Sequence, residues 1–256
     1  MKIRTFVSPV QDCPFIDQHL SESEIYYSNQ HRHIADRLSY RQAHIMKRCI
    51  IGFYTGINPS FLKFGATELG RPYVLNANVS FSLSHTRVYV AVSIVLSKDI
   101  AVGVDVECLE SIPMDEIDLI ATAALTKEEI LYMSSQNDPH RHLLKCWTIK
   151  ESIMKATGLG ITCSPLSLSM LINSLRDGLH DSDTWPVFSY LVDSTCVLSK
   201  TYKSSLNGSK HMLDLECRLI RDNSFETWQN FDCPLTWQRI EPFDTVRVDW
   251  LKSSGK

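Results

Sequence analysis

The sequence predicts a mixed α/β (α+β) protein, because strand-like and helix-like patterns both occur along its 256 residues. Apolar stretches typical of strands occupy residues 3–7 and 87–107, whereas residues 36–53 carry apolar side chains at helical spacing. Hydrophobic residues make up 44% of the chain, so it can bury a full core, either as one large domain or as two lobes.

Capping signals predict where the helices of the first half begin and end. Ser21 and Glu24 have the spacing of a capping box, so a helix should start there. Residues 36–53 should form a second helix that ends near Gly56. The polar side of this second helix is basic, and such a face either contacts an anion or only faces solvent. Its basic side chains are Arg37, Arg41, His44, Lys47 and Arg48.

Residues 87–107 are predicted to form an antiparallel hairpin. One strand covers 87–96, the turn lies at 97–99, and the return strand covers 100–107. This register would place Ser84 and His85 at the same end of the hairpin as Asp105, which joins two distant motifs into one site.

The second half alternates helix and strand. Thr126 and Glu129 repeat the capping-box spacing, and Glu129 then serves either as this cap alone or also in a functional site. A helix over 142–157 should end at Gly158. Strands are expected at 187–192, 196–202 and 211–220, with a turn at 203–210 and a frayed tail at 253–256.

Composition excludes several classes of function. The formal net charge of −3 is not that of a nucleic-acid-binding surface. No run approaches the roughly eighteen apolar residues of a membrane span, and the apolar part of the N-terminus is too short for a signal peptide. We therefore expect a soluble cytoplasmic protein whose cysteines are free thiols, mostly buried as small apolar side chains. They show no metal-binding spacing and are Cys13, Cys49, Cys108, Cys146, Cys163, Cys196, Cys217 and Cys233.

Two carboxylates on a buried strand are the first candidate site. Val104 and Val106 should face the core, so Asp105 and Glu107 leave by the opposite face with Cα atoms roughly 7 Å apart. Carboxylates at this spacing can converge on one hard cation through oxygen ligands at about 2.1 Å. The alternative is a solvated strand end.

A helix supplies the second candidate site. Glu151 and Lys155 are four residues apart and share one helix face, with Lys150 beside them. A carboxylate and two lysines can join a metal ion to an anionic substrate. The alternative is an ordinary ion pair on the protein surface.

Four motifs, taken together, resemble the 4'-phosphopantetheinyl transferases. They are Gly-Arg-Pro at 70–72, Phe-Ser-Leu-Ser-His-Thr at 81–86, Val-Gly-Val-Asp-Val-Glu at 102–107 and the segment from Trp147 to Gly160 that contains Lys-Glu-Ser at 150–152. Their order and spacing over about residues 20–170 are similar to those of the larger, single-chain members that activate peptide, polyketide and siderophore synthetases in secondary metabolism.

The resemblance implies two similar lobes in pseudo-twofold arrangement, with coenzyme A in the cleft between them. Residues 1–100 would form the lobe on the adenine and 3'-phosphate side, and 101–256 the lobe with the metal, the catalytic residues and the carrier-protein docking surface. The implied reaction transfers the 4'-phosphopantetheine arm of coenzyme A to a serine of an apo acyl or peptidyl carrier protein and releases 3',5'-ADP. A monomer is implied.

The resemblance also implies residue roles. Asp105, Glu107 and Glu151 would hold Mg²⁺, or Mn²⁺ in its place, with Glu151 or a metal-bound water as the base. Lys150 and Lys155 would neutralise the pyrophosphate. The coenzyme-binding residues would further include Arg37, Arg48, Arg71, Ser84 and His85, with His85 and Arg71 close to the 3'-phosphate.

The chain also departs from the family pattern. Ser82 and Thr86 replace residues that are more common in the phosphate-contact motif, and Ser39 and His44 stand where arginines are frequent. The adenine end of the site is therefore the least defined by the sequence.

Two other functions compete with this one. A different Mg²⁺-dependent nucleotidyl transferase or phosphodiesterase would also use Asp-x-Glu, but it would normally add a glycine-rich phosphate loop, which is absent from the sequence. A degenerate member could bind only coenzyme A or a carrier protein. The sequence does not specify the carrier, whose docking surface we expect at Ile112, Met114, Ile117 and Leu119 unless these side chains are core.

Overall fold

The computed structural model describes residues 1–11, 17–160, 164–169, 184–204, 214–220 and 237–250. The strands in these ranges are β1 Lys2–Pro9, β2 Phe64–Ala66, β3 Pro72–Val74, β4 Ser80–His85, β5 Tyr89–Val95, β6 Ile100–Cys108, β7 Leu168–Ser169, β8 Thr184–Leu191, β9 Cys196–Ser204, β10 Asp214–Ile220, β11 Trp237–Arg239 and β12 Asp244–Trp250. The helices are α1 Glu22–Gln30, α2 Ile34–Thr55, α3 Ile117–Ala124, α4 Lys127–Ser134 and α5 Pro139–Thr157. Among the helices described, none has the length and apolar character of a membrane span.

The strands form two five-stranded sheets and a small ribbon. The first sheet has the order β11-β10-β1-β5-β4, the second has the order β6-β9-β8-β12-β7, and β2 pairs with β3. Strands β1 and β10 are parallel, whereas the pairs on either side of them, β1–β5 and β10–β11, are antiparallel. The predicted mixed α+β class is confirmed, and the pseudo-twofold relation of the lobes stays a prediction.

The predicted hairpin over 87–107 is wrong. Strand β5 pairs with β1 and β4, and β6 pairs with β9 in the other sheet. A strand can pair with one neighbour on each of its two edges. The tight turn after β4 pairs one edge of β5 with β4, and β1 takes the other edge. In this turn the Thr86 hydroxyl accepts hydrogen bonds from the backbone N–H groups of Val88 and Tyr89. The chain therefore crosses from one sheet to the other at residues 96–99.

The predicted domain boundary agrees with the order of the strands only in part. The crossing near residue 100 separates β1, β4 and β5 from β6, β8 and β9. Strands β10 and β11 come from the second half, yet they pair beside β1 in the first sheet. The range 101–256 is therefore not one separate lobe, because the first sheet needs residues from the second half of the chain.

The predicted helix ends are confirmed. Ser21 with Glu24 and Thr126 with Glu129 each form a reciprocal capping box. Helix α5 ends at Gly158, whose φ of 76° is the left-handed conformation that glycine adopts without strain. The predicted turn at 203–210 begins too early, because β9 extends to Ser204; its residues 205–210 and the tail at 253–256 lie outside the described residues.

Each long helix covers one sheet. Helix α2 packs Met46 and Ile50 into a core with Phe81 and Val92. Helix α5 packs Ile149 and Ile153 against the second sheet in a core that also holds Val187 and Val248.

Strand β6 and α5 approach closely at a glycine. A Cβ atom on Gly103 would lie 1.8 Å from the carbonyl oxygen of Ser152, so any larger residue would push the helix away. This close approach brings the next residues of β6 next to α5.

Two of the cysteines form a disulfide, which corrects the expectation of free thiols. Cys108 and Cys196 lie directly opposite each other in the β6–β9 ladder and are bonded. They are 88 residues apart in sequence, and only the strand register brings them together. Cys49, Cys146 and Cys217 are free and buried, as expected, while Cys13, Cys163 and Cys233 lie outside the described residues.

Candidate active site

Three predicted site residues meet where β4, β6 and α5 come together. The Nζ atom of Lys155 lies 2.6 Å from Oδ1 of Asp105, and the Ser84 hydroxyl donates to the same oxygen at 2.8 Å. Lys155 also donates to Ser84 at 3.0 Å. Asp105 is only 2% exposed. The expectation that Ser84 lies beside Asp105 is thus confirmed, although β4 and β6 belong to different sheets.

Two further carboxylates lie near this cluster. The pKa of Glu107 is raised to about 8 by burial and by the negative charge of Asp105, against the opposing effect of Lys155. Burial and the charge of Asp105 also raise the pKa of Glu151. Trp147, which the sequence analysis left without a role, donates a hydrogen bond to Glu107. Trp147, Glu151 and Lys155 succeed one another at four-residue spacing along α5 and so share one face.

The donor set fits a divalent cation, although the described residues include no ready-made cluster of three metal-binding side chains. Oδ2 of Asp105 is buried and has no hydrogen-bond partner in the described structure. The carboxylates of Asp105, Glu107 and Glu151 repel one another, and the ammonium group that acts on them among the described residues is that of Lys155. Hard cations such as Mg²⁺ take carboxylate oxygens, and a bound cation would relieve this repulsion.

One side of the site opens into a cavity of about 330 Å³ with a cationic wall. Lys47, Arg71 and Lys155 line it, together with His44 and Gly158. The Arg71 side chain packs against Gly158, where a Cβ would lie 2.8 Å from its Cδ. Burial lowers the pKa of the Arg71 guanidinium, so an anion in the cavity would stabilise it. Lys47 was not among the predicted site residues because in sequence it looks like any other basic residue of this face of α2.

Arg48 does not belong to this wall, and its predicted role in coenzyme binding is wrong. It is 4% exposed, and its Nε atom donates to Glu24 at 2.7 Å. Its Nη1 atom donates to the carbonyl oxygens of Pro59 and Leu62. The basic face of α2 is therefore partly neutralised from α1, since Glu24 also pairs with Lys47 at 2.7 Å.

Lys150 is also not in the site, which corrects its predicted role at the pyrophosphate. Its side chain is completely buried and pairs with Glu129 at 2.6 Å. It also donates to the carbonyl oxygen of Ala124 at 2.8 Å. Glu129 could have been a helix cap alone or also a site residue. It caps α4 and pairs with Lys150 outside the Asp105 cluster, so it is not a residue of this site.

The other side of the site opens into a cavity of about 440 Å³ that includes His85, Glu107 and Arg87. Nδ1 of His85 lies 3.3 Å from the Ser39 hydroxyl. The pKa of His85 is lowered to about 4 by burial and by the nearby charges of His44 and Lys155. Arg37 lines neither this cavity nor the 330 Å³ one; it donates to the carbonyl oxygen of His31 at 3.3 Å.

The predicted docking patch divides between core and surface. Ile117 is 5% exposed and packs in a core with Leu143 and Cys146, and Ile112 packs against the same core. Leu119 is 69% exposed. The side chain of Met114 lies outside the described part of the structure. The alternative that these residues are core is therefore correct for Ile117, whereas Leu119 remains available.

Comparisons with known proteins match the segment that contains these residues. The family model described as "4'-phosphopantetheinyl transferase superfamily" matches residues 101–183, which include Asp105, Glu107, Glu151 and Lys155. A putative 4'-phosphopantetheinyl transferase of Haemophilus influenzae is 32% identical over 97 residues, or 37% of this chain and 40% of that protein.

Two longer matches cover most of the chain. The 4'-phosphopantetheinyl transferase HetI of Nostoc sp. is 24% identical over 70% of this chain and 76% of its own length. The 4'-phosphopantetheinyl transferase gsp of Aneurinibacillus migulanus is 28% identical over 66% of this chain and 71% of its own length. The motifs assembled at one site lie in the segment that the family model matches, and the chain is similar to these two 4'-phosphopantetheinyl transferases over 70% and 66% of its length.

Proposed function

We propose that this protein transfers the 4'-phosphopantetheine arm of coenzyme A to a serine of an apo acyl or peptidyl carrier protein, releasing 3',5'-ADP with the help of Mg²⁺. The observation that carries the proposal is the contact of Lys155 and Ser84 with Asp105. Residues from two strands and a helix, up to 71 positions apart, meet there within 3.0 Å.

The two cavities suit two substrates. Lys47, Arg71 and Lys155 line the 330 Å³ cavity, and the described residues of its wall include no carboxylate, so it is suited to the phosphates of a nucleotide. Among these three cations, Arg71 is the one that we expect to lie near the 3'-phosphate of coenzyme A. The 440 Å³ cavity reaches Glu107 from the other side and would admit the serine of a carrier protein. His85 also lines this second cavity.

The proposed chemistry forms one phosphorus–oxygen bond and breaks another. The carrier serine oxygen attacks the β-phosphorus of coenzyme A, and the bond from that phosphorus to 3',5'-ADP breaks. Mg²⁺, held by Asp105, Glu107 and Glu151, would supply positive charge to the pyrophosphate. Lys155 is placed to stabilise the charge that develops on the leaving phosphate.

Glu151 is the proposed acceptor of the serine proton. A carboxylate within reach of the serine hydroxyl can take its proton as the new bond to phosphorus forms. Glu151 shares a helix face with Lys155, so α5 would present both the base and the cation to the reacting groups.

A transfer assay tests the proposal directly. Coenzyme A with a labelled pantetheine arm is incubated with a panel of apo acyl and peptidyl carrier proteins, with and without EDTA. Label should appear on a carrier serine, 3',5'-ADP should form in equal amount, and EDTA should abolish both. Absence of transfer to every carrier, with coenzyme A still bound, would indicate a binding module. Hydrolysis of coenzyme A without transfer would indicate a phosphodiesterase.

A further inference from the structure

Two serine side chains connect the edges of the two sheets. Strands β4 and β6 are edge strands of different sheets and lie side by side. The Ser82 hydroxyl accepts the backbone N–H of Val104 at 3.0 Å, and the Ser84 hydroxyl accepts that of Val106 at 3.3 Å. Ser82 and Ser84 are 5% and 6% exposed. We call this pair the serine clasp.

The Ser84 hydroxyl has no remaining hydrogen bond to offer a phosphate. A hydroxyl group has one proton to donate and two lone pairs that accept. The Ser84 proton is donated to Asp105 Oδ1 at 2.8 Å, and its lone pairs accept from Val106 N and from Lys155 Nζ at 3.0 Å. A phosphate oxygen can only accept, so it would have to compete with Asp105 for the single proton.

The clasp determines which oxygen of Asp105 is left for other partners. Asp105 lies between the two clasped backbone groups, those of Val104 and Val106. Ser84 and Lys155 both bind Oδ1, whereas Oδ2 is buried without a hydrogen-bond partner among the described residues. Loss of the serine hydroxyl would free the carboxylate to rotate and would leave the N–H of Val106 unpaired.

We propose that Ser84 is a positioning residue, which orients the Asp105 carboxylate and the Lys155 ammonium and holds the two sheets together, and that it does not bind a substrate phosphate. Hydrogen-bond partners that orient metal ligands typically contribute 10–100-fold to metal affinity or activity. The activity readout rests on the proposed function, but the metal-binding readout does not.

The test compares Ser84→Ala with Ser84→Thr and Ser84→Cys. Ser93→Ala is the matched control, because Ser93 is another buried serine in the same sheet, hydrogen-bonded to Thr5 at 3.0 Å. For each protein the Mg²⁺ concentration that gives half of the thermal stabilisation is measured without substrates. The Mg²⁺ requirement of transfer and the KM values for coenzyme A and 3'-dephospho-coenzyme A are measured in parallel.

Ser84→Ala and Ser84→Cys should raise the half-stabilising Mg²⁺ concentration at least about tenfold, the scale of a lost orienting partner. Both should lower kcat by a similar factor with either nucleotide. Ser84→Thr should stay within about threefold of wild type, because threonine keeps the donating and accepting hydroxyl. Ser93→Ala should leave the Mg²⁺ response unchanged.

A different pattern would overturn the proposal. If Ser84→Ala raises KM for coenzyme A, but not for 3'-dephospho-coenzyme A, and leaves the Mg²⁺ response unchanged, Ser84 is a phosphate ligand. If Ser84→Ala does not fold, Ser84→Cys carries the comparison, because its side chain nearly fills the same space. A wild-type protein that responds to Mg²⁺ but transfers nothing would refute the proposed function and leave the clasp testable.

Discussion

A buried carboxylate needs partners for both of its oxygens, and Asp105 has them for only one. Lys155 and Ser84 satisfy Oδ1, and Oδ2 remains without a partner in the described structure. Glu107 and Glu151 lie nearby, and burial together with the charge of Asp105 raises the pKa of both. At the scale of single residues, the site is therefore short of positive charge, and a divalent cation is its natural complement.

Asp105→Ala should lower the rate of transfer at least about a hundredfold, the scale of losing a preorganised electrostatic group. It removes one of the three proposed metal ligands together with the carboxylate that pairs with Lys155. Initial rates at saturating coenzyme A measure the effect, and circular dichroism checks that the fold is retained. Glu22→Gln, an exposed carboxylate on α1, is the control and should keep the wild-type rate. Wild-type turnover by Asp105→Ala would contradict the assignment.

His85 should make the protein less stable in acid. Its pKa is lowered to about 4, mainly by burial and by His44, Lys155 and His31, while Asp36 acts in the opposite direction. Between about pH 6.5 and 4 the unfolded chain binds a proton that folded His85 does not, so the free energy of unfolding falls as pH falls through this range. Above about pH 6.5 both states are neutral, and the stabilising effect is complete.

His85→Gln should flatten this part of the stability–pH curve. Urea unfolding at pH values from 4 to 7 measures it as the difference between the wild type and the variant. His33→Gln, at an exposed position before α2, should keep the wild-type slope. A His85→Gln curve parallel to that of wild type would show that His85 is not the group responsible.

At the scale of elements, α5 has two separate tasks on different faces. One face presents Trp147, Glu151 and Lys155 to β6, and an adjacent face buries Lys150, which pairs with Glu129 of α4. The two lysines in this helix segment thus have different roles. One reaches the candidate site, and the other anchors the helix that carries it.

Lys150→Met should destabilise the protein by about 3–5 kcal/mol, because it removes the ammonium group that pairs with the buried Glu129 carboxylate. KM for coenzyme A should change little in the protein that remains folded. The double variant Lys150→Met with Glu129→Gln should recover part of the stability, since glutamine keeps the cap without the charge. Lys145→Met, which removes a more exposed ion pair with Asp244, is the control. A stable Lys150→Met variant with a raised KM would instead place Lys150 in the site.

At the scale of the whole molecule, the site lies between the edge strands of the two sheets. The serine clasp, α5 and the close approach at Gly103 hold these edges together. The apolar segment after β6 supplies both core and exposed side chains, so its sequence alone does not distinguish a docking surface from core. Ile117 belongs to the core, and Leu119 is exposed on α3.

Leu119→Asp should raise KM for the carrier protein several-fold while leaving coenzyme A affinity unchanged, because an exposed apolar side chain can contribute to a docking surface. Ile117→Asp should lower the melting temperature strongly, because it buries a charge. Phe61→Asp, another highly exposed apolar position, should change neither KM. Equal carrier KM values for Leu119→Asp and wild type would place the docking surface elsewhere.

The sequence by itself determined the local structure and the chemical identity of the site. Capping boxes at Ser21 and Thr126 and the terminal Gly158 are local signals, so the helix ends were predictable. The spacing in the two motifs predicted that Asp105 lies with Glu107 and Glu151 with Lys155, because residues two apart on a strand or four apart on a helix share a face.

Only the tertiary structure decided which cations belong to the site and how the sheets are joined. Lys47 and Arg48 are neighbours on one helix, yet Lys47 lines the cavity and Arg48 is enclosed by Glu24 and backbone carbonyls. Lys150 and Lys155 differ in the same way. The pairing of β6 with β9, and with it the Cys108–Cys196 disulfide, joins residues about ninety positions apart. Charge partners and strand neighbours of this kind are set by contacts between distant segments, and sequence spacing carries no information about them.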